Sequence, residues 1–193
     1  MLSWCLFAKL PNFTLARLCR STLSTSMSKV LPPKPRSANH KTTITIVASQ
    51  YNAEFTDALV ENAHKELTEL APNAQIDLVR VPGAFEIPAT VEMIMRSDNP
   101  ACVIALGLII RGPTAHADLV AESVTHALQQ IAVSHATPVV HEVILCSDKK
   151  QAYARCVGSK LNRGKEAARA AVSITDTFNQ LKRNTARVYP SNA

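Results

Sequence analysis

From residue 43 onward, short runs of β-branched and aliphatic residues alternate with longer stretches in which apolar positions recur every three or four residues. The short runs fit strands and the longer stretches fit helices that bury one face; their alternation is the signature of stacked βαβ units on a parallel sheet. Residues 43–48 (Thr-Ile-Thr-Ile-Val-Ala) form the first predicted strand. Phe55, Leu59, Ala63, Leu67 and Leu70 share one helical face over residues 53–70, and Ala71-Pro72-Asn73 stops that helix. Residues 76–81 are the second strand, ended by Pro82-Gly83, and a helix with Ile87, Val91, Ile94 and Met95 on one face follows. Residues 101–108 are apolar throughout, as a strand covered on both faces should be. A turn at Arg111-Gly112-Pro113 precedes a long helix carrying Leu119, Val120, Val124, Leu128 and Ile131. Residues 138–145 are the fourth strand, Asp148 is placed to cap a short helix through Arg155, and Gly164 opens a last helix bearing Ala168, Ala171, Val172, Thr175 and Phe178. The pattern contains no internal repeat. It predicts a three-layer α/β/α sandwich around a central parallel four-stranded sheet.

A chain of 193 residues that is 47% hydrophobic can bury one sizeable core, so a single domain is expected, over residues 41–182. Residues 1–40 read as a basic N-terminal extension and residues 183–193 as a tail. The formal net charge of +6 invites a nucleic-acid partner only if it is spread over one face. It is instead concentrated at the ends: no acidic residue precedes Glu54, while Lys9, Arg17, Arg20, Lys29, Lys34, Arg36 and Lys41 do, and Lys182, Arg183 and Arg187 lie near the C-terminus. The domain between is close to neutral, and no nucleic-acid partner is expected. No stretch reaches the roughly 18 consecutive apolar residues needed to span a bilayer, which predicts a soluble protein without a membrane partner. The first 36 residues are basic, rich in Ser and Thr and free of acid. They read either as an organellar transit peptide, for a plastid or mitochondrion, or as sequence upstream of a true start at Met27, which would leave a cytoplasmic protein. Leu31-Pro32-Pro33-Lys34-Pro35 reads as an extended lead-in. Five cysteines, with no C-x-x-C pair and no histidine at metal-ligand spacing, indicate a reducing compartment and no metal. Cys102 and Cys146 lie in apolar runs, where a thiol acts as a small core residue.

In parallel α/β sheets ligands bind outside the carboxyl ends of the strands. Four segments follow predicted strands: Ser49-Gln50-Tyr51-Asn52, residues 81–88, residues 108–116, and the residues after His141. The third is chemically the richest. A Gly-Pro turn running into a helix N-terminus offers backbone N–H groups and the Thr114 hydroxyl as a phosphate cradle, and His116 in the first turn has a side chain suited to moving protons near neutral pH. By themselves these residues also admit plainer readings. A lone His beside a turn is usually solvated, Glu86 fits a helix-start carboxylate, Tyr51 fits a residue packed on its own helix, and Arg155 and Arg163 fit surface cations.

The strings VPGAFEIP (residues 81–88), ALGLIIRGPTAH (residues 105–116) and NRGKEAARAAVSI (residues 162–174), in this order and at these distances, closely resemble lumazine synthases. The similarity covers roughly residues 43–179. It implies a flavodoxin-like form of the sandwich and an enzyme, a transferase of riboflavin biosynthesis. Such an enzyme condenses 5-amino-6-(D-ribitylamino)uracil with 3,4-dihydroxy-2-butanone 4-phosphate to 6,7-dimethyl-8-ribityllumazine, with no cofactor and no metal. The resemblance assigns the pyrimidine stack to Tyr51, the ribityl chain to Ala84, Phe85 and Glu86, and the pyrimidine pocket wall to Leu108, Ile109 and Ile110. It assigns the phosphate loop to Arg111, Gly112, Pro113 and Thr114, and proton transfer to the catalytic His116. Arg155 matches a phosphate-binding arginine, Arg163 a position often held by Lys, and His141 a second ring-contacting position. Arg155 and His141 would reach in from a neighbouring copy, so the resemblance implies a homo-oligomer, a pentamer or a sixty-subunit shell, with its active sites at subunit interfaces.

Four positions depart from the usual pattern of that family. His141 stands where Phe is usual, Ala117 where an aromatic residue commonly follows the catalytic His, and Arg163 where Lys is frequent. Pro113 replaces a residue that would donate a backbone N–H. These departures motivate one alternative, a non-catalytic lumazine- or flavin-binding shell protein of the same fold. A second alternative, a riboflavin synthase of the archaeal type, shares the architecture, but the phosphate loop and His116 favour a phosphoketone substrate.

Overall fold

The computed structural model describes residues 31–36 and 41–188, so the leader and start-site readings of residues 1–30 lie outside the described residues. Among the described residues, four strands and five helices follow one another as β1 (Thr43–Ser49), α1 (Ala53–Leu70), β2 (Gln75–Val81), α2 (Ile87–Ser97), β3 (Cys102–Ile110), α3 (His116–Ser134), β4 (Val139–Cys146), α4 (Lys149–Cys156) and α5 (Arg163–Val188). The strands form one sheet in the order β2-β1-β3-β4, parallel at every pairing. The architecture is the three-layer α/β/α sandwich that the periodicity predicts, in its flavodoxin-like form.

The pleat sorts the two cores. Ile44, Ile46, Ala48, Ile104, Leu106 and Leu108 face α1, α4 and α5, together with Leu59, Leu67, Ala168 and Val172. Val47, Val103, Ala105 and Val143 point the other way, against Ile87, Val91, Val124 and Leu128 of α2 and α3. Residues of β3 from Cys102 to Leu108 are buried on both faces, which is why that run shows no alternation. The edge strand β2 is largely exposed or half-buried along its length and carries Gln75, Asp77 and Arg80 among its apolar residues. Cys102, Cys146 and Cys156 are buried free thiols, and burial pushes Cys102 and Cys156 up to about 12.

Two boundaries differ from the sequence reading for identifiable reasons. β3 runs on to Ile110 rather than 108 because β4 continues beside it to Cys146, and the Arg111 N–H closes the ladder on the Cys146 carbonyl at 2.9 Å. β4 starts at Val139 because Pro138 has no N–H to offer, although its carbonyl accepts from Val103 N–H. Leu119, grouped with the apolar positions of α3 in the sequence, is 63% exposed, whereas Val124, Leu128 and Ile131 are buried. The helix has a narrower buried stripe than its composition suggests.

α5 packs closely along α1. Buried Glu66 accepts from Arg169 Nε at 2.7 Å, and Arg169 also bonds the Pro32 carbonyl. Lys34 reaches Glu69 at 2.8 Å, which lays the proline-rich lead-in against this pair of helices. The approach is closest at Gly164, where an added Cβ would run into the Leu59 carbonyl oxygen and sit 3.2 Å from the Ala63 nitrogen. The obstacle is backbone, which cannot swing aside. Gly164→Ala is therefore expected to destabilise the fold by about 1–3 kcal/mol, read as a lowered Tm, whereas an unchanged Tm would show that α5 slides freely on α1.

Candidate active site

Because all strands run parallel, every carboxyl end emerges at one edge of the sheet. The strand order reverses between β2 and β3 on either side of β1, and such a switch point opens a crevice. A cavity of about 390 Å³ lies there. Its wall is drawn from Tyr51 and Asn52 after β1, Gly83 to Glu86 after β2, Leu108 to Ile110 at the end of β3, Gly112 and Thr114 in the following loop, and His116, Ala117 and Val120 at the start of α3. Three of the four segments that follow strands thus meet in one space.

Local chemistry explains how each wall is held. Asn52 sits in the left-handed region, φ 59°, where Asn is tolerated better than most residues, and its carbonyl accepts from the Phe55 and Thr56 N–H groups to start α1. Its Nδ2 donates to the Leu108 carbonyl at 2.9 Å and so ties the end of β1 to the end of β3. The sequence reading gave Asn52 no role. The available signal was an Asn in the short link between a strand and a helix, the place where a left-handed residue turns the chain.

The aromatic side chains do not pack on their own helices. Tyr51 is 72% exposed and Phe85 63%, both on the cavity wall, which leaves their faces free for a planar ligand. Glu86 stands at the start of α2, as the helix-start reading has it, but its carboxylate does not bond the helix N–H groups and is left for another partner. Its carboxylate folds back over Gly83, where an added Cβ would lie 2.9 Å from Oε2. His116 is the first residue of α3 and is exposed. Ala115 before it provides no side-chain cap, so the first-turn N–H groups of α3 are left for another acceptor.

Five of the site residues expected from the sequence lie elsewhere. Arg111 turns away from the cavity and bonds Asp118 through Nε at 3.0 Å and Nη2 at 2.6 Å. Pro113 is in the same exposed loop but off the cavity wall. His141, Arg155 and Arg163 are also off that wall, on β4, α4 and α5. The wall has no Lys or Arg, and its one ionisable carboxylate is Glu86.

The pleat of β4 sends His141 and Glu142 to opposite faces. His141 meets α3, where its Nε2 lies 2.9 Å from Thr125 Oγ1, while the Val143 N–H donates to Nδ1 at 3.3 Å. Burial holds its imidazole below the ordinary range. Glu142 meets α5, with Arg163 at 3.9 Å, and Arg163 in turn pairs with Glu166. Asn162 fixes the start of α5: Oδ1 accepts from Lys165 N–H, and Nδ2 donates to the Cys156 and Gly158 carbonyls, each at 3.1 Å. This cap fixes the turn that carries Arg163, and the sequence reading missed it although Asn before a helix is its usual sign. Asp148, by contrast, caps α4 as expected, accepting from Gln151 N–H at 2.7 Å.

Burial raises Glu142 to about 7; Arg163 and Arg155 oppose the rise, and Glu166 adds to it. A carboxyl raised on folding is easiest to bury when protonated, so stability falls as pH climbs from its unfolded value, near 4.5, through about 7. Glu142→Gln removes that dependence. Its Tm advantage over the parent is expected to grow across this window and level off above it, at a gain on the order of 1–3 kcal/mol. A pH-independent difference would show that Glu142 does not titrate there.

The family model described as 6,7-dimethyl-8-ribityllumazine synthase matches residues 41–179. A protein of that name from Coxiella burnetii (strain RSA 493 / Nine Mile phase I) is 36% identical over 140 residues, which cover 72% of this chain and 93% of that one. Another of the same name, from Xanthomonas campestris pv. campestris (strain B100), is 38% identical over 138 residues, 70% of this chain and 89% of the other. Among solved structures, a GDP-L-fucose synthetase from Naegleria fowleri bound to NADP aligns over 83% of this chain and 50% of that one, with a TM-score of 0.36 and 11% identity, too loose a likeness to bear on the fold.

Proposed function

The chain belongs to the 6,7-dimethyl-8-ribityllumazine synthase family, and from that premise we propose that the cavity at the carboxyl ends of its strands is where its reaction takes place. The enzyme is a transferase of riboflavin biosynthesis. It condenses 5-amino-6-(D-ribitylamino)uracil with 3,4-dihydroxy-2-butanone 4-phosphate to give 6,7-dimethyl-8-ribityllumazine. The observation that carries the site assignment is the convergence of the segments after β1, β2 and β3 on one cavity with two exposed aromatic faces, a carboxylate and an imidazole.

The roles follow from what each group can do. Tyr51 stacks on the pyrimidine, whose edge meets the chain at Leu108, Ile109 and Ile110. Ala84, Phe85 and Glu86 hold the ribityl chain, with the carboxylate accepting from its hydroxyls. The phosphate of the second substrate docks at the uncapped start of α3, beside Gly112 and the Thr114 hydroxyl. The primary amine of the uracil attacks the ketone carbonyl, and loss of water gives an imine. Loss of the proton on the carbon beside the imine expels phosphate by β-elimination; the enol this leaves tautomerises to a ketone, and attack of the ribityl-bearing nitrogen on that new carbonyl closes the ring with loss of a second water. His116, beside the phosphate end, takes and returns the protons of these steps. Holding two substrates in register supplies the larger share of the acceleration.

The cavity wall has no cation, yet a phosphate dianion buried without one is costly. The candidate cations, Arg155 and Arg163, lie off that wall on α4 and α5, and His141 lies off it on the α3 side of β4. A second copy can bring them to the cavity of the first. Because the donating patch and the receiving cavity are different surfaces, such contacts are head-to-tail, the kind that closes into a ring when the rotation between copies allows it. The working unit is therefore proposed to be a homo-oligomer, which the resemblance to lumazine synthases makes a pentamer or a sixty-subunit shell. Among the described residues no helix is long and apolar enough to cross a membrane.

Phosphate release and lumazine absorbance, measured with both substrates, test the assignment. His116→Ala is expected to bind the pyrimidine normally but to lose roughly 10²-fold or more in kcat, and undiminished turnover would remove His116 from the mechanism. The split site has its own test. His116→Ala and Arg155→Ala copies, each nearly inactive, are expected to regain about a quarter of parental activity when refolded together at equal amounts, since random rings pair one intact cavity with one intact donor at that frequency. Activity no greater than that of the separate variants would place both groups in one copy.

A further inference from the structure

Residue 141 is a histidine where the family usually has phenylalanine, and the structure shows what keeps that exchange compatible with an aromatic role. Both ring nitrogens are engaged within their own chain. The Val143 N–H can only donate, so Nδ1 is the acceptor across the 3.3 Å contact. The ring proton then resides on Nε2, which donates to Thr125 Oγ1 at 2.9 Å. Thr125 is itself oriented, because its hydroxyl donates to the Ala121 carbonyl one turn earlier in α3 at 2.7 Å. The relay runs from imidazole to hydroxyl to helix carbonyl, and each donor and acceptor in it is matched.

We propose that Thr125 is a positioning residue that fixes the His141 ring in its Nε2–H tautomer and leaves it to meet the substrate of the neighbouring copy as a flat, non-polar plate. No nitrogen remains to bond the pyrimidine or to trade protons with it, so the histidine serves as an aromatic surface and leaves proton transfer to His116. Burial works in the same direction by disfavouring the charged ring, which could not accept from Val143. The inference deepens the site reading above and rests on it, since His141 must contact the pyrimidine for its orientation to matter.

Thr125→Val keeps the side-chain shape and deletes the hydroxyl. The expected result is a KM for the pyrimidine substrate raised roughly five-fold, the scale of one net hydrogen bond, with kcat little changed. Thr125→Ser, which restores the hydroxyl, is expected to recover most of that loss. In ¹⁵N NMR of the intact assembly, the His141 ring should show a single Nε2–H tautomer in the parent and a mixture in Thr125→Val. On a His141→Phe background, Thr125→Val should add no further rise in KM, because the hydroxyl then has no ring to orient. A parental KM and tautomer in Thr125→Val, or the same rise on the phenylalanine background, overturns the positioning role. His141→Ala separates this failure from failure of the site reading. If it leaves KM untouched, His141 is not at the substrate at all; if it raises KM while Thr125→Val does not, the site stands and the role of Thr125 falls.

Discussion

The parallel pairing of β3 between β1 and β4 is the constraint on which the rest depends. A strand buried on both faces and bonded on both edges cannot slip by one residue without moving Ile104 and Val103 each into the other's core, where neither fits the packing, so its end is fixed in space. That end is the floor of the cavity. Since every other strand runs in the same direction, the loops after β1 and β2 arrive at the same edge, and the start of α3 follows directly. Asn52 then binds two of these ends together through the Leu108 carbonyl. A cavity assembled in this way needs little help from its own polar groups, which remain free for substrate.

The same pleat that separates the two cores also divides the chemistry of β4. His141 and Glu142 are neighbours in sequence, yet one is locked to α3 through Thr125 and the other faces the arginine of α5. The imidazole face is thereby kept neutral, while the opposite face gathers cations restrained by carboxylates. Glu166 and Glu142 hold Arg163 in place, and the Asn162 cap sets the helix that carries it. In the proposed role, an arginine already oriented by acids would lose less freedom on binding phosphate. Against this, the cavity of the same chain is without cations, and the polarity of the two surfaces is complementary.

Much of this was legible in the sequence, and the reasons are local. Strands and helices bury faces at periods of 2.0 and 3.6 residues, so each element was announced in order from residue 43, and the flanking Pro82, Asp148 and Gly164 marked ends to within a residue or so. The motifs after the strands carried the cavity wall with them, because a strand's end in sequence is also its end in space. Tyr51, Glu86 and His116 were each ambiguous alone; the resemblance of the chain to a known family, borne by three strings at fixed spacing, two of which hold Glu86 and His116, removed the ambiguity about which family the chain belongs to.

What the sequence could not decide were relations between segments far apart along it. That Arg111 spends its guanidinium on Asp118, that Leu119 is exposed while Val124 is not, and that Thr125 and Val143 occupy both nitrogens of His141 all depend on how α3 lies across the sheet. The Gly164 contact with α1 likewise exists only once the two helices pack. Periodicity reports which face of an element is buried, a property of nearest neighbours in sequence. Which side chain meets which, and therefore what each polar atom is free to do, is set by packing across long separations, and only the tertiary structure carries that information.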